Sequence, residues 1–202
     1  MGENSEKKVL IVGHSWAFGT FSNYNEWKEY FNGLMGQSVK LEVCAKPNTS
    51  IGWSTEQVKE RKGADFVLLF TGVNDVDFTN PDVSKVSEQV LGAFEKMIAA
   101  AKKNNPDAQI IVLSIPHFNR AERHIAEINK NFPKLQRKMG FSLVDLTGPP
   151  FAIPLDKTTE GGRYLHPEDG YAKLRELLKE NLPDYVTLKT AGNERKRKEK
   201  AL

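Results

Sequence analysis

The chain has 202 residues, 39% hydrophobic and 27% charged, which fits one α/β domain with a sizeable core and excludes a fibrous or intrinsically disordered chain. No apolar run approaches the ~20 residues of a membrane helix, and the first eight residues carry no apolar signal core, so a cytoplasmic setting with no membrane contact is expected. A single cysteine, Cys44, excludes an internal disulfide framework and a cysteine-built zinc site.

The formal net charge of +3 is concentrated at one end. Residues 189–202 hold six Lys or Arg against two Glu, which leaves residues 1–188 at −1. A run such as Arg195-Lys196-Arg197-Lys198 reads as a solvated tail, with at most a weak nucleic-acid contact.

In chain order, Val9–Val12 is a short apolar run ending at Gly13, the pattern of a strand covered on both faces. A helix follows, because Trp27, Tyr30, Phe31, Leu34 and Met35 recur at helical spacing. The run Val39–Ala45 reads as a second strand, with Cys44 inside it as a buried, inert thiol. The next helix is placed near Ser54, with Gln57 three residues on as in a capping box. Phe66–Phe70 is the third strand. Asn80 then Pro81 announces a long helix with Pro at its first position, and Val83, Val86, Val90, Phe94, Met97, Ile98 and Ala101 form its apolar stripe. Ile110–Leu113 is the fourth strand, and the helix from about Arg120 is expected to break or kink at Pro133. Leu143–Leu146 is a short fifth strand, and a last helix runs from about Pro167 to Asn181, stopped by Pro183.

Five strands separated by helices predict a mainly parallel five-stranded sheet covered on both faces, a three-layer αβα arrangement. Right-handed crossovers then put every strand-to-helix loop at one edge of the sheet, where such folds bind ligands. The expected organisation is a polar extension over 1–7, one domain over 8–183 and a basic tail over 184–202. The stretch 147–165 is the one long loop.

Three strand ends carry chemistry: Gly13-His14-Ser15-Trp16, Gly72-Val73-Asn74-Asp75, and Leu165-His166-Pro167 before the last helix. A serine at a strand-to-helix turn exposes its hydroxyl and sets a backbone N–H beside a reacting carbonyl. Serine needs an imidazole to take its proton, since its own acidity is negligible at neutral pH. An asparagine amide can donate to the developing oxyanion, an interaction worth roughly 3 kcal/mol in comparable sites. Each residue also has a plain structural role open to it: Ser15 as a helix cap, Asn74 and Asp75 as a turn, His166 as a surface histidine.

Together these segments resemble the blocks of the SGNH (GDSL-like) hydrolase superfamily, over roughly residues 8–182. Ile11-Val12-Gly13-His14-Ser15 is similar to the first block, Thr71-Gly72-Val73-Asn74-Asp75 to the third, and His166-Pro167-Glu168-Asp169-Gly170-Tyr171 to the fifth. The resemblance implies a flavodoxin-like sheet and hydrolysis of small O-acyl esters, often acyl groups on carbohydrate, through an acyl-enzyme. It implies Ser15 as nucleophile, His166 as base, and an oxyanion hole from the Ser15 N–H, the Asn74 amide and a main-chain donor after the second strand. Gly52 is the first choice for that donor, and Asn48 is the alternative under a tighter alignment.

Two positions depart from the family pattern. His14 stands where the family has Asp, a residue that the resemblance implies supports the loop. His14 is therefore expected to be structural rather than catalytic, its imidazole replacing some of those hydrogen bonds. Arg163 stands where the triad Asp is expected, three residues before His166. A guanidinium cannot accept from imidazole, so a main-chain carbonyl, or Glu160 or Asp156 of the same loop, must orient His166, or nothing does. The rival reading is an SGNH-fold binding module for a glycan or acyl group. Trp16 and Trp53 either line a pocket or pack beneath the loops, His117 and Arg163 are candidates for the rim, and His124 is expected to face solvent. Four scattered His and one Cys give no metal-ligand spacing, and Gly13 to Gly19 does not reproduce a dinucleotide fingerprint, so no cofactor or metal is expected. The sequence leaves the oligomeric state open.

Overall fold

Alternation along the strands decides where the two halves of the core lie. In the computed structural model, which describes residues 6–20, 23–116, 121–147 and 168–181, five strands form one sheet: β1 (Lys7–Gly13), β2 (Val39–Ala45), β3 (Phe66–Phe70), β4 (Gln109–Leu113) and β5 (Ser142–Val144). All neighbours are parallel, in the order β2-β1-β3-β4-β5. Leu10, Val12, Val67, Leu69, Ile110 and Val112 point into one apolar cluster, while Val9, Ile11, Phe66, Leu68, Phe70, Ile111 and Leu113 point into the other. That split is the period-two pattern of a sheet buried on both faces.

The first cluster is closed by α3 (Ile51–Lys59), α4 (Val83–Asn104) and α5 (Glu122–Met139), and the second by α1 (Ser15–Thr20), α2 (Tyr24–Met35) and α6 (Glu168–Asn181). Trp27 and Phe31 of α2, and Leu174 and Leu178 of α6, fill the second cluster. Since β2 and β3 flank β1 on opposite sides, the direction of winding reverses at β1. The loops leaving β1 and β3 therefore meet at the crevice where open α/β sheets place ligands.

The helix expected from Trp27 to Met35 is present as α2, starting at Tyr24 under an Asn23 cap, and a separate short α1 starts directly at Ser15; other local expectations change. Helix α3 starts at Ile51 rather than near Ser54: Ser50 accepts from the Trp53 N–H, and the Asp75 carboxylate accepts from the Ile51 N–H with both oxygens (3.1 and 2.9 Å). A tertiary acceptor thus outweighs the local capping pattern, and Ser54 is buried with its hydroxyl bonded to Thr71. Helix α4 is capped by Asp82 and begins at Val83, leaving Pro81 outside it. Helix α5 runs through Pro133 without a break. Pro133 is exposed, while Phe132 and Leu135 on either side of it are buried against the first cluster, and that burial holds the helix across the missing hydrogen bond.

Because Pro133 faces solvent inside a helix, Pro133→Ala should raise stability by about 2 kcal/mol, the helix gain of about 3 less the smaller unfolded-state benefit of Pro. Urea denaturation measures it. An unchanged or lower midpoint would show that the proline is not a burden on α5.

Candidate active site

The end of β1 is built on an approach too close for any side chain. A Cβ on Gly13 would lie 2.2 Å from the Phe70 carbonyl oxygen and 2.5 Å from Ala17 Cβ, so only glycine fits. The chain then turns into α1, with Ser15 half-buried in its first turn. His14 is 1% exposed; its N–H donates to the Phe70 carbonyl (3.2 Å), its carbonyl accepts from the Phe18 N–H (2.9 Å), and its Nδ1 accepts from the Trp16 N–H (3.2 Å). The imidazole thus caps α1.

The loops after β2 and β3 are tied to this turn by hydrogen bonds. The Lys46 N–H donates to the Gly13 carbonyl (3.2 Å). The Asn74 amide Nδ2 donates to the Thr49 carbonyl (2.9 Å), and Asp75 takes the Ile51 N–H as described. Asn74 is exposed in a 3-10 turn, Val73–Asp75, that begins at Gly72 with φ +114°. A Cβ on Gly72 would meet the Phe94 ring at 2.8 Å, so this turn also demands glycine. An amide has two N–H donors, and the Thr49 contact uses one of them while fixing the plane of the other.

Within the second loop, Asn48 has φ +59°, the conformation that favours Gly and Asn, and it lies between Lys46 and Thr49, which bond to the first and third loops. Gly52 instead sits in the first turn of α3, where an added Cβ would have ordinary room beside Ser50, and it borders the groove between α3 and α4 with Glu88, Gln89 and Gly92.

Other residues singled out in the sequence take definite places. Trp16 is 6% exposed and packs edge-on against Phe70 (6.1 Å), beneath the loop. Trp53 is half-buried in the first turn of α3. His124 does not face solvent: it is buried, and its Nε2–H donates to the Asn80 carbonyl (2.8 Å), pinning the segment between Asn74 and α4 onto α5. Cys44 is buried, and desolvation pushes its thiol above the usual range, as suits an inert residue. His166, Arg163, Glu160, Asp156 and His117 lie outside the described residues.

The helix that follows His166 is firmly docked. Tyr30 donates its hydroxyl to the Arg175 carbonyl, and the Arg175 guanidinium lies over the Trp27 ring (4.9 Å) and pairs with Glu26. Burial pushes the Tyr30 hydroxyl up to about 12, with Arg175 pulling the other way, so it remains a donor. Among the described residues no three His, Cys, Asp or Glu converge as a metal site.

The sequence pattern passed over three contributors to this arrangement: Asp75 as the cap of α3, Thr49 as the anchor of Asn74, and His124 as the anchor of Asn80. Only Asp75 carried a local signal, standing directly after Asn74 at a strand end.

The fold is a three-layer α/β arrangement in which the loops after β1 and β3 carry Ser15 and Asn74. A family model of GDSL-like lipases and acylhydrolases matches residues 11–174, and the chain belongs to that family. Its fold is similar to a lipase/acylhydrolase from Enterococcus faecalis (TM-score 0.64, 18% identity, covering 86% of this chain and 94% of that one). It is also similar to a carbohydrate esterase family 3 protein from Talaromyces cellulolyticus (0.64, 16%, 90% and 98%) and to a psychrotrophic esterase from Pseudoalteromonas sp. (0.64, 15%, 90% and 100%). No curated protein matches the sequence significantly.

Asp75 supplies a pH-dependent check on the interloop ties. Desolvation raises its pKa, and the Ile51 N–H only partly offsets this. A carboxyl raised on folding gives stability that is fully present below its unfolded pKa and is lost as pH rises through the folded value. Thermal midpoints of the natural chain should therefore fall, relative to Asp75→Asn, as pH rises from just below to somewhat above the ordinary carboxylate range. Parallel curves for the two proteins would show that Asp75 is not desolvated there.

Proposed function

We propose that this chain is a metal-independent serine esterase acting on small O-acyl esters, O-acetylated carbohydrate among them, through an acyl-enzyme. The Ser15 hydroxyl attacks the ester carbonyl while His166 takes its proton. The tetrahedral oxyanion is held by the Ser15 N–H, the free Asn74 amide N–H and a main-chain N–H of the second loop. Collapse expels the alcohol, which recovers the proton from His166, and water attacks the acyl-serine by the same route in reverse. For the second-loop donor the left-handed backbone of Asn48, held between the ties to Gly13 and Asn74, favours Asn48 over Gly52.

The observation that carries the reading is the hydrogen-bonded union of the loops after β1, β2 and β3, which sets Ser15 and the Asn74 amide at one crevice in a chain of an acylhydrolase family. The fold neighbours include a carbohydrate esterase, which supports the substrate class. Arg163 occupies the place of the family's orienting carboxylate, so the base works as a Ser–His dyad with a carbonyl acceptor, or with Glu160 as substitute. Loss of the orienting Asp costs about 10⁴ in a serine protease yet leaves measurable catalysis.

Active-site labelling is the experiment. The Pseudoalteromonas esterase is inhibited by monoethylphosphonate, and a fluorophosphonate applies the same chemistry here. The natural chain should label stoichiometrically and hydrolyse an aryl acetate, and Ser15→Ala should do neither. A folded chain that never labels supports the second reading, a binding module that kept the crevice and lost the chemistry, which Arg163 favours.

Asn74 allows a separate kinetic test. If its amide stabilises the oxyanion, Asn74→Ala should lower kcat by roughly 10² or more with KM nearly unchanged. A mutant that loses only substrate affinity marks an ordinary binding contact instead.

A further inference from the structure

Ser15 is flanked by two peptide planes, one held by a main-chain bond of α1 and the other by the side chain of His14. The peptide before Ser15 is fixed through its carbonyl, that of His14, which accepts from the Phe18 N–H (2.9 Å). The peptide after Ser15 is fixed through its N–H, that of Trp16, which donates to His14 Nδ1 (3.2 Å). His14 is in turn tied to the sheet by its own N–H on the Phe70 carbonyl (3.2 Å). Its ring is 1% exposed and is gripped by the rings of Trp16 (centroids 6.2 Å apart, 82° between planes) and Phe70 (6.0 Å, 42°).

We infer that His14 is the positioning residue of the nucleophile: its imidazole, with Nδ1 unprotonated, holds the peptide that follows Ser15 and so, together with the main-chain bond to Phe18 that holds the peptide before it, aims the Ser15 N–H and hydroxyl. The physical need is clear from α1, which has only six residues. A helix that short cannot hold its first turn by its own hydrogen bonds. An acceptor must supply the cap, and in this chain an imidazole does so. An imidazole that accepts at Nδ1 carries its remaining proton at Nε2, so the clamp selects one tautomer. Its aromatic neighbours restrict the ring's rotation, so the acceptor is held in place before any substrate arrives.

This role rests on Ser15 being the nucleophile, and it makes a demand that packing alone does not. The ring must accept a hydrogen bond, so shape without an acceptor should fail. A shift of about 1 Å in a reacting group can cost roughly 10²-fold in rate without altering affinity.

The test uses the full chain with His14→Phe, which keeps an aromatic ring against Trp16 and Phe70 but removes the acceptor, and His14→Asp, which removes the ring but offers a short capping acceptor. His14→Asn serves as the second capping variant if the aspartate variant does not fold. Three readouts are taken near neutral pH: ¹⁵N imidazole shifts of the natural chain, exchange of the Trp16 amide, and fluorophosphonate labelling with aryl ester kinetics. The expected result is an unprotonated Nδ1 with the proton on Nε2, and a Trp16 amide protected in the natural and capping variants but exchanging faster in His14→Phe. Labelling and kcat should drop about 10²-fold in His14→Phe at similar KM, with substantial recovery in the capping variant. A natural ring protonated at Nδ1, or a His14→Phe protein that labels and protects Trp16 like the natural chain, overturns the inference. The ring and amide signals require no turnover, so a natural chain that fails to label sinks the esterase reading while the clamp is still decided on its own terms.

Discussion

At the end of β1 the backbone runs so close to β3 that the space for a Cβ on Gly13 is taken by the Phe70 carbonyl and by Ala17. Everything at the crevice follows from that approach. It lets the His14 N–H reach the Phe70 carbonyl, brings α1 down onto the sheet, and presents the Gly13 carbonyl to the loop after β2. A larger residue would lift β1 from β3 at the one point where the chain must turn, and Ser15 is the second residue beyond it.

From this point the site extends outward through polar ties rather than through more apolar packing. The sheet's two clusters supply rigidity, since their strand residues are essentially fully buried. The loops above them have no such core. They are fixed by a short series of specific bonds: Lys46 to Gly13, Asn74 to Thr49, Asp75 to Ile51, His14 to Trp16, and His124 to Asn80. Each joins groups far apart in sequence or sets a helix end, so the loops act as one unit although no single bond is strong. Buried polar connections of this kind specify one arrangement because leaving any partner unpaired is costly.

The fold was legible because it rests on periodicities. Strand runs at Val9–Val12, Phe66–Phe70 and Ile110–Leu113, and the α4 stripe from Val83 to Ala101, needed only hydrophobic spacing and length to be read, and the parallel sheet followed from their alternation with helices. Local capping patterns were a weaker guide. Ser54 and Gln57 looked like a helix start, but the acceptor that sets the start of α3 is Asp75, on another strand's loop, which no local pattern contains. Pro133 was read as a break or a kink; α5 is unbroken there, because Phe132 and Leu135 bury enough surface to carry it past the proline. Within the site, Ser15 and Asn74 were legible as residue types at strand ends. His14 was legible as a loop-supporting residue in place of the family's Asp, but not the way it acts, because an imidazole can donate, accept, ligate or ionise, and its buried place beside Trp16 and Phe70 goes with acceptance at Nδ1. His124 was misread as solvent-facing for a similar reason: its helix is charged on most sides, and the carbonyl it serves, Asn80, is remote in sequence.

On the proposed reading, the turn at the end of β1 makes Ser15 a transient acyl carrier. Rapid acid quench during turnover of an aryl acetate, followed by mass spectrometry of the proteolysed chain, observes that carrier directly. The expected result is a single acetyl group on the peptide containing Ser15, appearing before steady state and absent after the substrate is exhausted. Steady hydrolysis with no acetyl on that peptide, or with acetyl on another residue, would contradict it.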